Sequence, residues 1–140
     1  MPIPDSLRTL VESGPLAHLT TLNASGSPQV TVIWIGLDAD DPDVLVSGHM
    51  AANLKVRNMI RDPRTVLSFD APRTPGVFLA EHAVLTTTAT VTEGGAWGLL
   101  DRLAKVYISP DATFPAPRAE GGFVIRYRID KIAGVGPWTG

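Results

Sequence analysis

The sequence predicts a mainly β fold, an antiparallel barrel with peripheral helices. Three observations predict it. Residues 28–38, PQVTVIWIGLD, alternate, with Val30, Val32 and Trp34 on one face and Gln29, Thr31 and Ile33 on the other. That two-residue period is the mark of a strand. NASGS, 23–27, is a turn that joins this run to LAHLTTL, 16–22, which is rich in strand formers, so the two make a hairpin. Along the rest of the chain strand-like runs outnumber helical ones, which argues against the alternating βαβ pattern of a parallel sheet.

The elements follow in order. Asp5 and Ser6 precede LRTLVE, where Leu7, Leu10 and Val11 share one face; this reads as a capped helix that Gly14-Pro15 ends. After the hairpin, DADDP is an acidic loop and DVLVSG, 43–48, is the third strand. HMAANLKVRNMIRD, 49–62, contains a short helix over 51–62, entered through Ser47-Gly48-His49 and stopped by Asp62-Pro63, since the residue before a proline leaves the helical region. Leu54, Val56, Met59 and Ile60 are its candidate buried side. RTVLSFD, 64–70, is a fourth strand, and VFLAEHAVLTTTATVTE, 77–93, is a long β-rich run, bent or bulged. GAWGLLDRLAKVYI, 95–108, has helical spacing at Trp97, Leu100, Leu103 and Ala104. A Pro/Gly-rich loop follows over 109–122, and FVIRYRIDKIAGVGPW, 123–138, is a final strand or strand pair.

Bulk properties narrow the function. A chain of 140 residues fits one domain, 1–140, long enough to bury a core without staples. A net charge of −2 disfavours nucleic acid as a partner. The chain has no cysteine, which excludes a disulfide scaffold and a thiolate metal site. MPIPDSLRTL lacks the basic start and apolar run of a signal peptide, and no run reaches membrane-spanning length. The expectation is a soluble, cytoplasmic protein with no membrane partner.

Motifs for side-chain chemistry are sparse. There is neither GxGxxG after a strand nor GxxxxGK[ST]. His18, His49 and His82 are isolated in sequence, whereas a structural metal needs clustered ligands. Glu81 and His82 are neighbours on a strand and point to opposite faces. Asp40, Asp41 and Asp43 lack the calcium-loop spacing and read as a solvated turn. If the chain is an enzyme, a cofactor carries the chemistry.

The segment 47–58 offers a place for one. A helix entrance presents unpaired N–H groups and positive partial charge, where an anion fits. Lys55 lies one turn in and reaches back towards the entrance. Ser47 and Asn53 carry hydrogen-bonding side chains. The competing reading makes Lys55, Arg57 and Arg61 an ordinary solvated face paired to Asp62. Spacing alone leaves both open.

LAHLTTLNASGSPQVTVIWIGLD, then DVLVSGHMAANLKVRNMIRDPRTVLSF, then VIRYRIDKIAGVGPW, together resemble the flavin and deazaflavin split β-barrel oxidoreductases. That superfamily contains pyridoxamine 5′-phosphate oxidase, and the chain is more similar to the actinobacterial branch that uses coenzyme F420. The resemblance covers nearly the whole chain. It rests most on the TTLNASGSPQV hairpin and the K-x-R-N-x-x-R-D-P helix end at 55–63.

The resemblance implies a homodimer with two sites at the subunit interface. It assigns Lys55 to the cofactor phosphate, Ser47 and Gly48 to the turn that meets it, and Gln29 and Thr31 to strand positions facing the ring and its polyol chain. His49, Asn53 and Arg57 join them as candidate cofactor-binding residues, Asn53 standing where relatives often carry arginine. Trp138 is expected at the subunit interface, on the rim of the ring pocket. The chain also departs from the phosphate oxidases. Val30–Ile35 supplies neither Arg nor Lys, and Leu54 stands where they carry Arg before the helix lysine. Fewer cations weaken an FMN phosphate site, since each lost pairing forfeits a charge-assisted hydrogen bond. The implied function is hydride transfer between the deazaflavin of coenzyme F420 and a small organic acceptor. FMN is the alternative cofactor. A non-catalytic split barrel that binds a cofactor, haem or another apolar ligand is the alternative class.

Overall fold

The computed structural model describes residues 1–116 and 121–139. Among them the order is α1 (Asp5–Glu12), β1 (Ala17–Leu22), β2 (Pro28–Ile33), β3 (Gly36–Leu37), β4 (Val44–His49), α2 (Leu54–Arg61), β5 (Arg64–Asp70), β6 (His82–Glu93), α3 (Ala96–Tyr107), β7 (Phe123–Val135) and a 3-10 turn (Pro137–Thr139). All strand pairings are antiparallel, in one sheet of order β2-β1-β5-β6-β7-β4-β3. No helix is long and apolar enough to cross a membrane among the described residues.

That order forces the sheet to curl. β2 and β3 are its two edges, yet only Trp34 and Ile35 separate them in sequence. Three Cα steps reach about 10 Å at most, so the edges must come round to meet. The result is a split barrel with a seam between β2 and β4. Leu19, Leu45, Leu67, Phe69, Leu85, Ile125 and Tyr127 are fully buried in its interior core. Each belongs to the alternate set of its strand, as a sheet with one buried face requires. α1 adds Leu7, Leu10 and Val11 to the same core, and Trp138 joins it. α3 lies against the outer face of β4 and β7, where Leu99 and Leu103 pack on Val46 and Val124.

Several expectations need correction. The strand expected over 28–38 breaks at Trp34-Ile35. There the Ile35 N–H donates to Tyr107 Oη at 3.0 Å, and the Ile35 carbonyl accepts from that hydroxyl at 3.1 Å. A side chain has replaced the ladder, which lets the chain cross the seam with its polar groups satisfied. Ser47, Gly48 and His49 end β4 and do not form a turn into the helix. α2 begins at Leu54, where Asn53 caps it. Leu54 and Ile60 are 45% and 61% exposed, while Asn58 is fully buried. Val56 and Met59 are buried as expected, and Asn58 joins them because its amide is fully hydrogen-bonded. Residues 77–81 lie outside β6, which begins at His82; its irregularity falls at Thr86/Thr87, where Asp130 is the extra residue on β7. The terminal run is one strand, Phe123–Val135. Part of the expected loop at 109–122 lies outside the described residues.

Candidate functional site

A cleft of about 250 Å³ opens in the seam. Val32, Ile33 and Trp34 form the wall from the edge of β2, and Gly48 and His49 come from the end of β4. Asn53 and Lys55 close it from α2. Leu100 of α3 and Phe114 of the following loop complete it. Topology explains the meeting: the break after β2 and the end of β4 sit on opposite sides of the seam, and α2 follows β4 directly.

The aromatic wall is braced from behind. Trp34 stacks on Tyr107 with ring centroids 4.9 Å apart and planes 7° apart, and Phe114 stands edge-on to Trp34 at 5.8 Å. The single proton of Tyr107 Oη is shared between the Pro15 carbonyl at 2.6 Å and the Ile35 carbonyl at 3.1 Å. Rings fixed on both sides present a preformed flat surface at little further entropic cost.

Lys55 is half-buried, and desolvation lowers its pKa. Among the described residues no carboxylate lies within ion-pair distance of it. Asp62, the acid expected to pair with this helix, binds Arg64 at 2.7 Å and is held down to about 2 by that hydrogen bond. The solvated-pair reading of Lys55 therefore loses its partner. Asn53 Oδ1 accepts the Val56 N–H at 3.4 Å. The other N–H groups of the first turn have no partner within the helix, so the entrance beside Lys55 stays favourable to an anion.

His49 is 6% exposed, and its Nε2 lies 2.7 Å from Ser47 Oγ. Ser47 Oγ in turn lies 2.7 Å from Tyr127 Oη. Burial, with the Lys55 charge adding to it, pulls the imidazole down to about 4, so the ring is neutral at pH 7. Burial pushes the Tyr127 phenol up.

Gly48, His49, Asn53 and Lys55 thus converge on one cleft. Ser47 lies behind His49 and does not line it. Gly48 has a packing reason for lacking a side chain: a Cβ there would meet Leu100 Cγ at 3.0 Å and the Ala96 carbonyl at 3.3 Å. Gln29 and Thr31 face the barrel interior beside the cleft wall and are not part of its lining. Gln29 Oε1 accepts from Thr21 Oγ1 at 3.0 Å, whereas Thr31 Oγ1 is buried without a partner. Arg57 is exposed on α2, outside the cleft.

Trp138 is brought elsewhere. It is 6% exposed within the chain's own core and donates to the His82 carbonyl at 3.1 Å. It is not among the residues that line the cleft within this chain. Gly136 permits the approach of the ring: a Cβ there would collide with the Trp138 indole.

Sequence reasoning missed Trp34, Leu100 and Phe114 as cleft residues. Trp34 had a signal, an aromatic at the end of an alternating run in a chain with three Trp. Phe114 lies in a Pro/Gly-rich loop with no periodicity to place it. Among the described residues no cluster of His, Asp or Glu could hold a metal.

No family model and no curated protein matches the chain. Solved structures do. An F420 reductase superposes with TM-score 0.75 at 23% identity, over 94% of this chain and 98% of that one. A pyridoxamine 5′-phosphate oxidase-like protein from Listeria innocua gives 0.66 at 18%, over 94% and 96%. A heme binding protein from Mycobacterium smegmatis gives 0.64 at 22%, over 95% of this chain and 53% of that one. At such identities the likeness is one of fold: the chain shares the split β-barrel of these neighbours.

Proposed function

We propose that the chain is a homodimeric, cytoplasmic split-barrel oxidoreductase that holds coenzyme F420 in the seam cleft. In this reading it passes hydride between the deazaflavin and a small organic acceptor. The observation that carries the reading is Lys55: a partly desolvated ammonium with no carboxylate within ion-pair distance among the described residues, set at a helix entrance beside a flat aromatic wall. A half-buried cation without a counter-ion loses part of its hydration, and an anionic group of a ligand would offset that loss. These residues fit a phosphate-bearing cofactor with a planar ring.

The cleft of about 250 Å³ takes one end of such a cofactor. The remainder would extend along the seam under a second subunit. Val30 and Val32, 58% and 53% exposed on edge strand β2, support that cover, because exposed edge strands and apolar patches mark association. When bound, the deazaflavin supplies the hydride chemistry. The protein's residues bind the phosphate at Lys55, orient the ring against Trp34 and Phe114, and exclude water. No side chain is assigned as a catalytic acid or base.

The absence of Arg and Lys from Val30–Ile35 favours F420 over FMN. Fluorescence titration with the two cofactors side by side tests the choice. The expected result is saturable binding of F420 at least tenfold tighter than FMN; tighter FMN binding makes the protein a flavoprotein instead. A monomer at micromolar concentration would remove the dimer from the proposal.

A further inference from the structure

We propose that His49 is a fixed hydrogen-bond donor, its proton held on Nδ1 and presented to an acceptor oxygen or nitrogen of the molecule in the seam cleft, with Ser47 and Tyr127 as the positioning residues. The argument is one of hydrogen-bond accounting. Tyr127 is fully buried, and the hydrogen bond of its phenol is to Ser47 Oγ at 2.7 Å. A buried O–H with no acceptor is more costly than a buried oxygen with a spare lone pair. The phenol therefore donates to Ser47. The Ser47 hydroxyl has one proton. With Tyr127 occupying it as an acceptor, that proton goes to its other neighbour, His49 Nε2, at 2.7 Å. Nε2 is then the acceptor nitrogen of a neutral imidazole, and the ring proton sits on Nδ1.

The opposite chain, with Nε2 donating to Ser47 and Ser47 to Tyr127, would strand the phenolic proton in the core. Strand geometry holds the three groups in place. Ser47 and His49 are two apart on β4 and share its inner face, and Tyr127 reaches them from the neighbouring strand β7, opposite Leu45.

Among the described residues His49 Nδ1 has no hydrogen-bond partner. Among the described residues the buried side-chain polar atom lacking a partner is Thr31 Oγ1, and His49 Nδ1 is not of that kind. An unbonded nitrogen that is not sealed off opens to the cleft His49 lines. Lys55 lies on the same cleft, so the two present donors with one positive charge between them. The ligand chemistry that matches is a carbonyl, ring-nitrogen or anionic acceptor; a ligand group that only donates is rejected there. The identity of that ligand rests on the functional reading above, and the tautomer does not.

The test begins without ligand. In protein labelled with 15N-histidine, the ring nitrogen shifts report the tautomer. The expected result is His49 almost wholly in the Nδ1–H form, shifting to a mixture in Tyr127→Phe and in Ser47→Ala. An Nε2–H ring or an even mixture in the wild type overturns the proposal, whichever variants fold. So does a tautomer unmoved in a folded Tyr127→Phe, because a merely structural tyrosine would leave it so.

The second arm reads binding of coenzyme F420, FMN and inorganic phosphate. His49→Leu should weaken the probe that binds by about tenfold, the loss of one hydrogen bond. His49→Asn, whose amide overlays Nδ1, should restore most of it. Equal affinity in wild type and His49→Leu overturns the donor role. If F420 and FMN both fail to bind, the functional reading falls, while the ligand-free tautomer and the phosphate arm still decide this proposal.

Discussion

Two polar clusters flank α2, and they differ in how far they are satisfied. At its C-terminal end Asn58 Nδ2 donates to Thr21 Oγ1 and to Asn23 Oδ1, each at 3.0 Å, and its Oδ1 accepts from Arg61 at 3.2 Å. Arg61 also bonds the Leu22 carbonyl, and Thr21 donates to Gln29. Every amide atom of Asn58 has protein partners. At the N-terminal end, among the described residues, Lys55 has no carboxylate within ion-pair distance and His49 Nδ1 has no partner. A closed network is complete without a ligand and serves to fix α2 on the β1–β2 hairpin. An open set of donors is complete only with one. Under the proposed function, one end of the helix serves structure and the other binding, although both ends carry cations from the same short sequence.

The comparison can be broken by substitution. The largest effect is expected at the closed end. Asn58→Ala removes three hydrogen bonds and leaves Thr21 and Arg61 short of partners, which should cost about 3–4 kcal/mol. Thermal unfolding should show a fall of about 10 °C. A variant that melts like the wild type would mean that the network is ornamental.

Acid stability comes next, and it isolates His49. Its pKa is depressed to about 4 in the fold, from 6.5. Between those values the unfolded chain binds the proton and the folded chain does not, so stability falls as pH drops through that window. The loss is complete near pH 4 and amounts to about 3 kcal/mol. Asp62, held down to about 2, acts below this window. Urea unfolding at pH 7 and pH 4.5 should show a loss in the wild type that His49→Gln lacks. Equal slopes in the two proteins would show that His49 is not buried as described.

At the open end, Lys55→Ala should weaken F420 binding by about 1.5–3 kcal/mol, the range for a charge-assisted hydrogen bond, and leave the ligand-free melting temperature unchanged. Isothermal titration and a thermal melt separate the two effects. Loss of stability with unchanged affinity would move Lys55 to the structural side. Arg57→Ala should be the smallest change, within about 0.5 kcal/mol in both assays, because Arg57 is exposed outside the cleft.

The division was partly legible in the sequence. The 2-residue alternation placed the hairpin, and a helix between two strands placed α2. Gly48, His49, Asn53 and Lys55 are close in sequence, so finding them together needed little tertiary knowledge. The other wall was not legible. Trp34 meets Phe114 and Leu100 only because the sheet curls and Tyr107 breaks the strand at Ile35, a long-range event with no local pattern. Asn58 was hidden for a related reason: its burial depends on partners in β1 and in the hairpin turn, while Leu54 and Ile60 look more apolar and face out. Trp138 was judged from its rarity and its glycines, which indicated that it would be used and not where.

The central claim is that Lys55 meets the cofactor, and amine footprinting reads that contact directly. The chain's lysines are Lys55, Lys105 and Lys131, and the last two lie outside the cleft and serve as internal controls. Reductive methylation with 13C-formaldehyde, followed by NMR, should label all three in the ligand-free protein. Saturation with coenzyme F420 should protect Lys55 by tenfold or more while Lys105 and Lys131 react as before. Unchanged labelling of Lys55 in protein saturated with F420 would contradict the account, because the cofactor would then bind away from the entrance of α2.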